Sequence, residues 1–463
     1  MNEVLNNYID KLKDEIINST CEIVNIPSVF DPSDNSNTPF GKDTVKALEY
    51  VLDLGKSFGF RTKNIDNKCG YIEFGEGDKL LGIIGHLDVV PAENDWTYSP
   101  FNSTIDKGNI YGRGTIDDKG PVIAALYAMK AVADNYKLDK RVRLILGLNE
   151  ENNWKCIERY KETEELPSIS FSPDAGFPCI YAEKTIESLY LNQKYERNPI
   201  LYIEDISTKN NAINVVPKYC SVILKYDNSK IINIIDDLKV IITKYNYNIN
   251  IEEIDSSTIK LISLGVSAHA AHPELGINAI SKLLIVLNEL FNLYTVKLDL
   301  LEYFTKYIGD NYTGKNLEIN FEDESGILTL NTAHFILEDN ILSLGFNLRI
   351  PVTIDYNIIE KKFKKYCNDN LEVKVARIQE PLYLEKYNKL VKQLCSIFND
   401  YNYSNLEPIA IGGGTYARAF KNCISFGPQI PGAKDMCHQS DEYISIENLM
   451  FCTKVYAEAI LKL

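Results

Sequence analysis

The stretch Leu80–Ile84 carries no polar side chain, and Gly85-His86-Leu87-Asp88 follows it at once. A strand with apolar residues on both faces must be covered on both, the usual condition of a parallel sheet between helical layers. Further strand candidates are Arg141–Leu148, which leads into Asn149-Glu150-Glu151, and Ser168–Ser172, which leads into Pro173-Asp174. Parallel neighbours deliver the loops after their C-terminal ends to one edge, where open α/β sheets bind ligands. A helix with Pro121 near its start and an end near Asp134 is long enough to act as a crossover.

The remaining pattern divides the chain. Residues 4–24 read as one amphipathic helix, a polar loop covers 28–43, and a second helix begins near Thr44. After Thr185 the order changes. Strands are expected at 186–193, 220–226, 258–266, 325–334, 341–350 and 372–378, with helices at 231–243, 277–292 and 354–366. This suits an α+β domain built of two ferredoxin-like halves. From Tyr383 the α/β character returns, with a helix to about Phe398, the run Gly412-Gly413-Gly414, a short helix, a strand at Cys423–Phe426 and a final helix from Ser445 or Ile446. We therefore expect one α/β domain from 1–184 and 381–463, with 185–380 inserted into it.

A formal net charge of −15 argues against a nucleic-acid partner, which needs a basic face. The ten cysteines are dispersed without a Cys-x-x-Cys pair, as expected of free thiols in a reducing compartment. Met1–Ile9 has no basic region followed by an apolar core, and no apolar stretch is long enough to span a bilayer. A cytoplasmic protein without membrane attachment is expected.

With only five histidines in 463 residues, two near strand ends carry information: His86, and His438 a dozen residues after Cys423–Phe426. Imidazole and carboxylate are the ligands of low-coordinate zinc sites. Two cations need a shared ligand, and a carboxylate can bridge. Asp117 of Asp117-Asp118 is the natural bridge, leaving His86 and Asp174 for one cation and Glu151 and His438 for the other. Water between the ions would become hydroxide near neutral pH. Glu150 could act as its general base, and Asp88 could orient the His86 ring through the second nitrogen. Each motif also has a plainer account. Glu-Glu pairs commonly sit solvated at helix starts, and Asp-Asp-Lys-Gly and Pro-Asp are turn formers.

The motifs Gly85-His86-Leu87-Asp88-Val89-Val90-Pro91, Gly112-Arg113-Gly114-Thr115-Ile116-Asp117-Asp118-Lys119-Gly120-Pro121, Asn149-Glu150-Glu151, Ser172-Pro173-Asp174-Ala175 and Gly412-Gly413-Gly414-Thr415-Tyr416-Ala417-Arg418 occur in this order. Together they resemble the M20 metallopeptidases, most closely the bacterial dipeptidase branch that includes PepV and Xaa-His dipeptidases. The resemblance implies a zinc-peptidase-like α/β catalytic domain with an inserted lid. It also implies a di-zinc centre, with manganese in some relatives. Asp117 would bridge and be joined to Asp118 by a cis bond, with His86, Glu151, Asp174 and His438 as ligands and Glu150 as general acid/base. It implies a dipeptidase acting on short peptides with a free N-terminus. An enlarged lid that mimics a partner subunit favours a monomer.

The resemblance also assigns lid residues. His269 in Gly265-Val266-Ser267-Ala268-His269 would stabilise the oxyanion. Asn214 and Arg349 would hold substrate, Arg349 by pairing with a free peptide carboxylate. Gly413 and Gly414 offer unhindered N–H groups for the same carboxylate or for a carbonyl oxygen, or form a tight turn. An internal ion pair is the plainer account of Arg349. His334 reads as a packed or hydrogen-bonded residue, and His272 as secondary. Asn149 stands where many relatives carry an acid. A deacylase of the same superfamily and a metal-binding protein without turnover are the competing readings.

Overall fold

Leu80–His86 is buried at every position and lies in the interior of a mixed sheet. The computed structural model describes residues 1–32, 37–92, 95–209 and 211–463. Residues 33–36 of the expected 28–43 loop lie outside the described residues. The chain divides into two units. One comprises Met1–Ala182, Leu382–Ile409 and Gly414–Leu463; the other comprises Glu183–Pro381 and Ala410–Gly413.

In the first unit the strands are β1 (Arg61–Ile65), β2 (Cys69–Gly75), β3 (Leu80–His86), β4 (Arg141–Gly147), β5 (Ile169–Ser172), β6 (Ile180–Glu183), β7 (Leu382–Tyr383) and β8 (Cys423–Ser425). Their spatial order is β1-β2-β4-β3-β5-β8-β6-β7, with Ile409–Ile411 also pairing with β6. β3 is parallel to both β4 and β5, and β8 is parallel to β5. The hairpin β1–β2 joins β4 antiparallel, and β6 joins β8 antiparallel. Four parallel strands therefore end together, and the chain leaves them toward Asp88, Glu150, Asp174 and His438.

Helix α1 (Lys119–Asn135) is buried around most of its circumference. It packs on β3 and against α2 (Ile446–Lys462), which explains its lack of an amphipathic stripe. At the N-terminus the expected single helix is two, Glu3–Lys11 and Lys13–Val24. At Leu12 the N–H bonds to the Ile9 carbonyl, three residues back, which tightens the turn and interrupts the α pattern.

The second unit has two antiparallel four-stranded sheets. One runs Thr329–Glu338, Ile341–Ile350, Thr185–Lys194, Leu371–Gln379; the other runs Leu201–Ser207, Tyr219–Tyr226, Thr258–Leu264, Ile249–Asp255. Helices Ile234–Tyr245, Ala279–Leu293, Asp299–Tyr307 and Asn357–Lys365 contribute buried residues to a core shared with these strands. Leu201–Ser207 and Ile249–Asp255, absent from the expected strands, are the two edges of their sheet. Ile249–Asp255 is mostly exposed, so its sequence lacks a clean apolar alternation. No helix among the described residues is long and apolar enough to cross a membrane.

Candidate metal centre and substrate-binding residues

Asp117 presents one carboxylate oxygen to each of two histidines. Oδ1 lies 3.0 Å from His86 Nε2, and Oδ2 lies 3.1 Å from His438 Nε2. Beyond His86, Asp174 Oδ2 stands 3.8 Å from the same nitrogen; beyond His438, Glu151 Oε1 stands at 2.9 Å. The order Asp174, His86, Asp117, His438, Glu151 brings the five expected ligands together. Donor atoms of His86, Asp117 and Glu151 all lie within 4.8 Å of one another, as do those of His86, Glu150 and Asp174. The Asp117–Asp118 peptide is cis.

His86 Nδ1 donates to the Asp88 main-chain carbonyl at 2.8 Å. A carbonyl can only accept, so the proton sits on Nδ1 and the Nε2 lone pair faces the site when the ring is neutral. Asp88, expected to orient this ring through its second nitrogen, does so by its main chain, and its carboxylate Oδ1 stands 3.6 Å from the same nitrogen. Its Oδ1 accepts the Glu150 N–H at 3.0 Å and its Oδ2 the Glu151 N–H at 3.1 Å. Two adjacent main-chain donors satisfy both oxygens of this fully buried carboxylate.

Burial pushes Asp117 up, but the hydrogen bonds from His438 and His86 hold it well below the usual carboxylate range. For His86, burial opposes charge, and the hydrogen bonds to Asp117 and Asp88 overcome it, raising the imidazole well above its ordinary value. His438, with a side chain 46% exposed, is likewise carried up to about 11 against burial by Asp117 and Glu151. Glu150 and Asp174 are raised by burial first, then by neighbouring carboxylates. Acids crowded into a poorly solvated space around two imidazoles form a donor set suited to divalent cations. The residues present fit a pair of them.

Glu442 was not singled out from the sequence. Fully buried, it accepts N–H from Gly114 and Ile116 at 3.0 Å and from Asp117 at 3.3 Å, and Arg113 Nη1 lies 2.8 Å away. It stands four residues after His438, so one carboxylate ties the Asp117 loop to the segment bearing the other histidine. The available signal was an arginine inside a glycine-rich loop, which needs an acid once buried.

Within the second unit, Val215 and His269 form an isolated β-bridge, and Asn214 O accepts the Ala270 N–H at 2.8 Å. Asn214 and His269 are thereby neighbours, and both residues are exposed. His269 Nδ1 accepts the Ala271 N–H at 3.2 Å. Arg349 is buried and donates from Nε to Asn347 Oδ1 at 3.0 Å and from Nη1 to Gly412 O at 2.7 Å. A Cβ at Gly412 would lie 2.7 Å from that of Ala271, so this loop tolerates only glycine at its closest approach. Gly413 continues the segment; Gly414, in the first unit, lies against the Arg418 guanidinium. His334 is hydrogen-bonded to Tyr190 and Asn211, both at 2.9 Å, and His272 pairs with Glu274 at the surface.

An α/β sheet with a carboxylate shared by two histidines beyond the ends of its parallel strands has the donor set of a divalent-metal hydrolase. More particularly, the profile of peptidase family M20/M25/M40 matches residues 82–462, and the chain belongs to that family. It is 37% identical to the Bacillus subtilis (strain 168) protein named "Putative dipeptidase YtjP", over 97% of each chain. It is 34% identical to the Staphylococcus aureus (strain MW2) protein "Putative dipeptidase MW1694", over 98% of each. Among solved structures, human carnosine dipeptidase 1 matches with a TM-score of 0.59 at 16% identity, over 98% of this chain and 96% of that one. The dipeptidase Dug1p from Saccharomyces cerevisiae matches with the same TM-score at 14% identity and the same coverage.

Proposed function

We propose that this M20 enzyme is a metal-dependent dipeptidase acting on short peptides with a free N-terminus. The observation that carries the reading is Asp117, whose two oxygens face His86 and His438. Its relatives' names, including "Putative dipeptidase YtjP", support the same substrate class. His86 and Asp174 would hold one divalent cation and Glu151 and His438 the other, with Asp117 between them. Zinc suits these ligands best, and manganese is the alternative. When bound, the pair supplies Lewis acidity and lowers the pKa of an attacking water.

The chain's own part follows from its side chains. Glu150 takes a proton from the water and returns it to the leaving amine; burial pushes its carboxyl above the usual carboxylate range. Asp88 holds the main chain of Glu150 and Glu151 through its carboxylate and the His86 ring through its carbonyl. His269 donates toward the oxyanion that develops on the scissile carbonyl. Arg349, Asn214 and the N–H groups of Gly413 and Gly414 receive the peptide carboxylate. The enzyme acts as a cytoplasmic monomer, with a peptide and no nucleic acid or membrane as its partner.

The test is a panel of free and N-acetylated dipeptides and free tripeptides, assayed with zinc and with manganese. Rapid cleavage of free dipeptides supports the reading. Preference for acetylated substrates would make the protein a deacylase instead.

A further inference from the structure

Both peptide groups flanking Glu150 are pinned. Its N–H donates to Asp88, and its carbonyl accepts the indole N–H of Trp154 at 2.9 Å. Trp154 has φ +64 and ψ +17, a left-handed conformation that residues bearing a Cβ adopt at a cost. The surroundings enforce it. The Trp154 main-chain N–H bonds to Asn149 O at 3.1 Å, and its carbonyl accepts from Ile157 and Glu158 at the start of the following helix. Its ring meets Tyr416 edge-on, with centroids 5.5 Å apart.

Tyr416 is fully buried and touches both halves of the site. Its ring lies edge-on to His86 at 6.2 Å, and its hydroxyl contacts Cys156 Sγ at 2.7 Å. Behind it, Gly147 leaves no clearance, since a Cβ there would lie 2.4 Å from the ring. The tyrosine therefore cannot retreat, and the tryptophan resting on it is held against the Glu150 carbonyl.

We propose that Trp154, braced by Tyr416, is a positioning residue that fixes the backbone of Glu150, so that only the side-chain torsions of the glutamate remain free for proton transfer. This rests on the assignment of Glu150 as general base in the proposed function. Orientation of a reacting group is worth large factors in rate, and losing a backbone anchor one peptide away lowers turnover more than binding.

The test uses the full chain with Trp154→Phe, which keeps a ring against Tyr416 but removes the indole donor, alongside Glu150→Gln. Trp154→Phe should lower kcat about tenfold or more, with KM within about twofold and bound metal at the parental level. A second readout needs no turnover. The chain has two tryptophans, Trp96 and Trp154, so the emission of Trp96→Phe protein reports on Trp154 alone. Adding Zn²⁺ to chelator-stripped Trp96→Phe protein should change that emission in step with metal uptake. A parental kcat in Trp154→Phe would overturn the proposal, as would unchanged emission or a loss of kcat only together with metal content and thermal stability. If Glu150→Gln were then still inactive, the general-base assignment would survive; if it too were fully active, that assignment would fail independently.

Discussion

The carboxylate of Asp88 bonds the main-chain N–H of Glu150 at 3.0 Å rather than the ring of His86. The residue two positions after a candidate ligand thus organises the candidate base in the turn after a neighbouring strand, while its own carbonyl orients the imidazole. Asp88→Asn tests this division of labour. The amide would keep one acceptor and place a donor against the other N–H, so the Glu150–Glu151 loop should shift. We expect kcat to fall about 10- to 100-fold, the scale of losses at residues that orient metal ligands, measured by steady-state kinetics with metal analysis.

Glu150→Gln should leave both cations bound and remove proton transfer. A positioned general base typically contributes about 10²–10⁴ in rate, and kcat should drop by that order. Kinetics and metal content on the same preparation check it.

These assignments divide according to what a sequence can carry. His86, Glu150, Glu151 and Asp174 were legible because each ends or closely follows a strand of the parallel core, where topology dictates convergence. His438 was placed by its position a dozen residues after the strand expected at Cys423–Phe426 and by the family resemblance, which implied it as a ligand. The Glu442 clamp and the Trp154–Tyr416 pair were not, because their partners stand 328 and 262 positions away and nothing local marks the pairing. The His-x-Asp spacing placed Asp88 beside the second nitrogen of His86, but spacing does not decide which of its oxygens the ring meets. Edge strands such as Ile249–Asp255 escaped because their solvent-facing residues erase the apolar alternation.

Gly147→Ala drives a methyl into the Tyr416 ring, which is held from behind by packed neighbours. Overpacking of this kind costs about 1–3 kcal/mol. Urea unfolding should show a lower midpoint with an unchanged slope, and turnover should fall as His86 and Trp154 are displaced.

Glu187 supplies a pH signature in the second unit. It is 1% exposed, its Oε2 accepts no hydrogen bond among the described residues, and burial with Glu360 nearby pushes it up to about 7 from 4.5. Below pH 4.5 the group is neutral in folded and unfolded chains alike and costs nothing. As pH rises through 4.5 toward 7 the unfolded chain ionises first and stability is lost; above about 7 the loss is complete, on the order of 3 kcal/mol. Glu187→Gln should therefore match the parent at pH 4 and exceed it in denaturant midpoint at pH 8. Equal midpoints at pH 8 would contradict the assignment.

The most direct measurement is the metal stoichiometry of the folded chain by native mass spectrometry, paired with dipeptide hydrolysis of the same sample. Two divalent cations per chain, both weakened by Asp117→Asn and activity lost with them, is the predicted result. Full hydrolysis by a chain carrying one cation or none would contradict it.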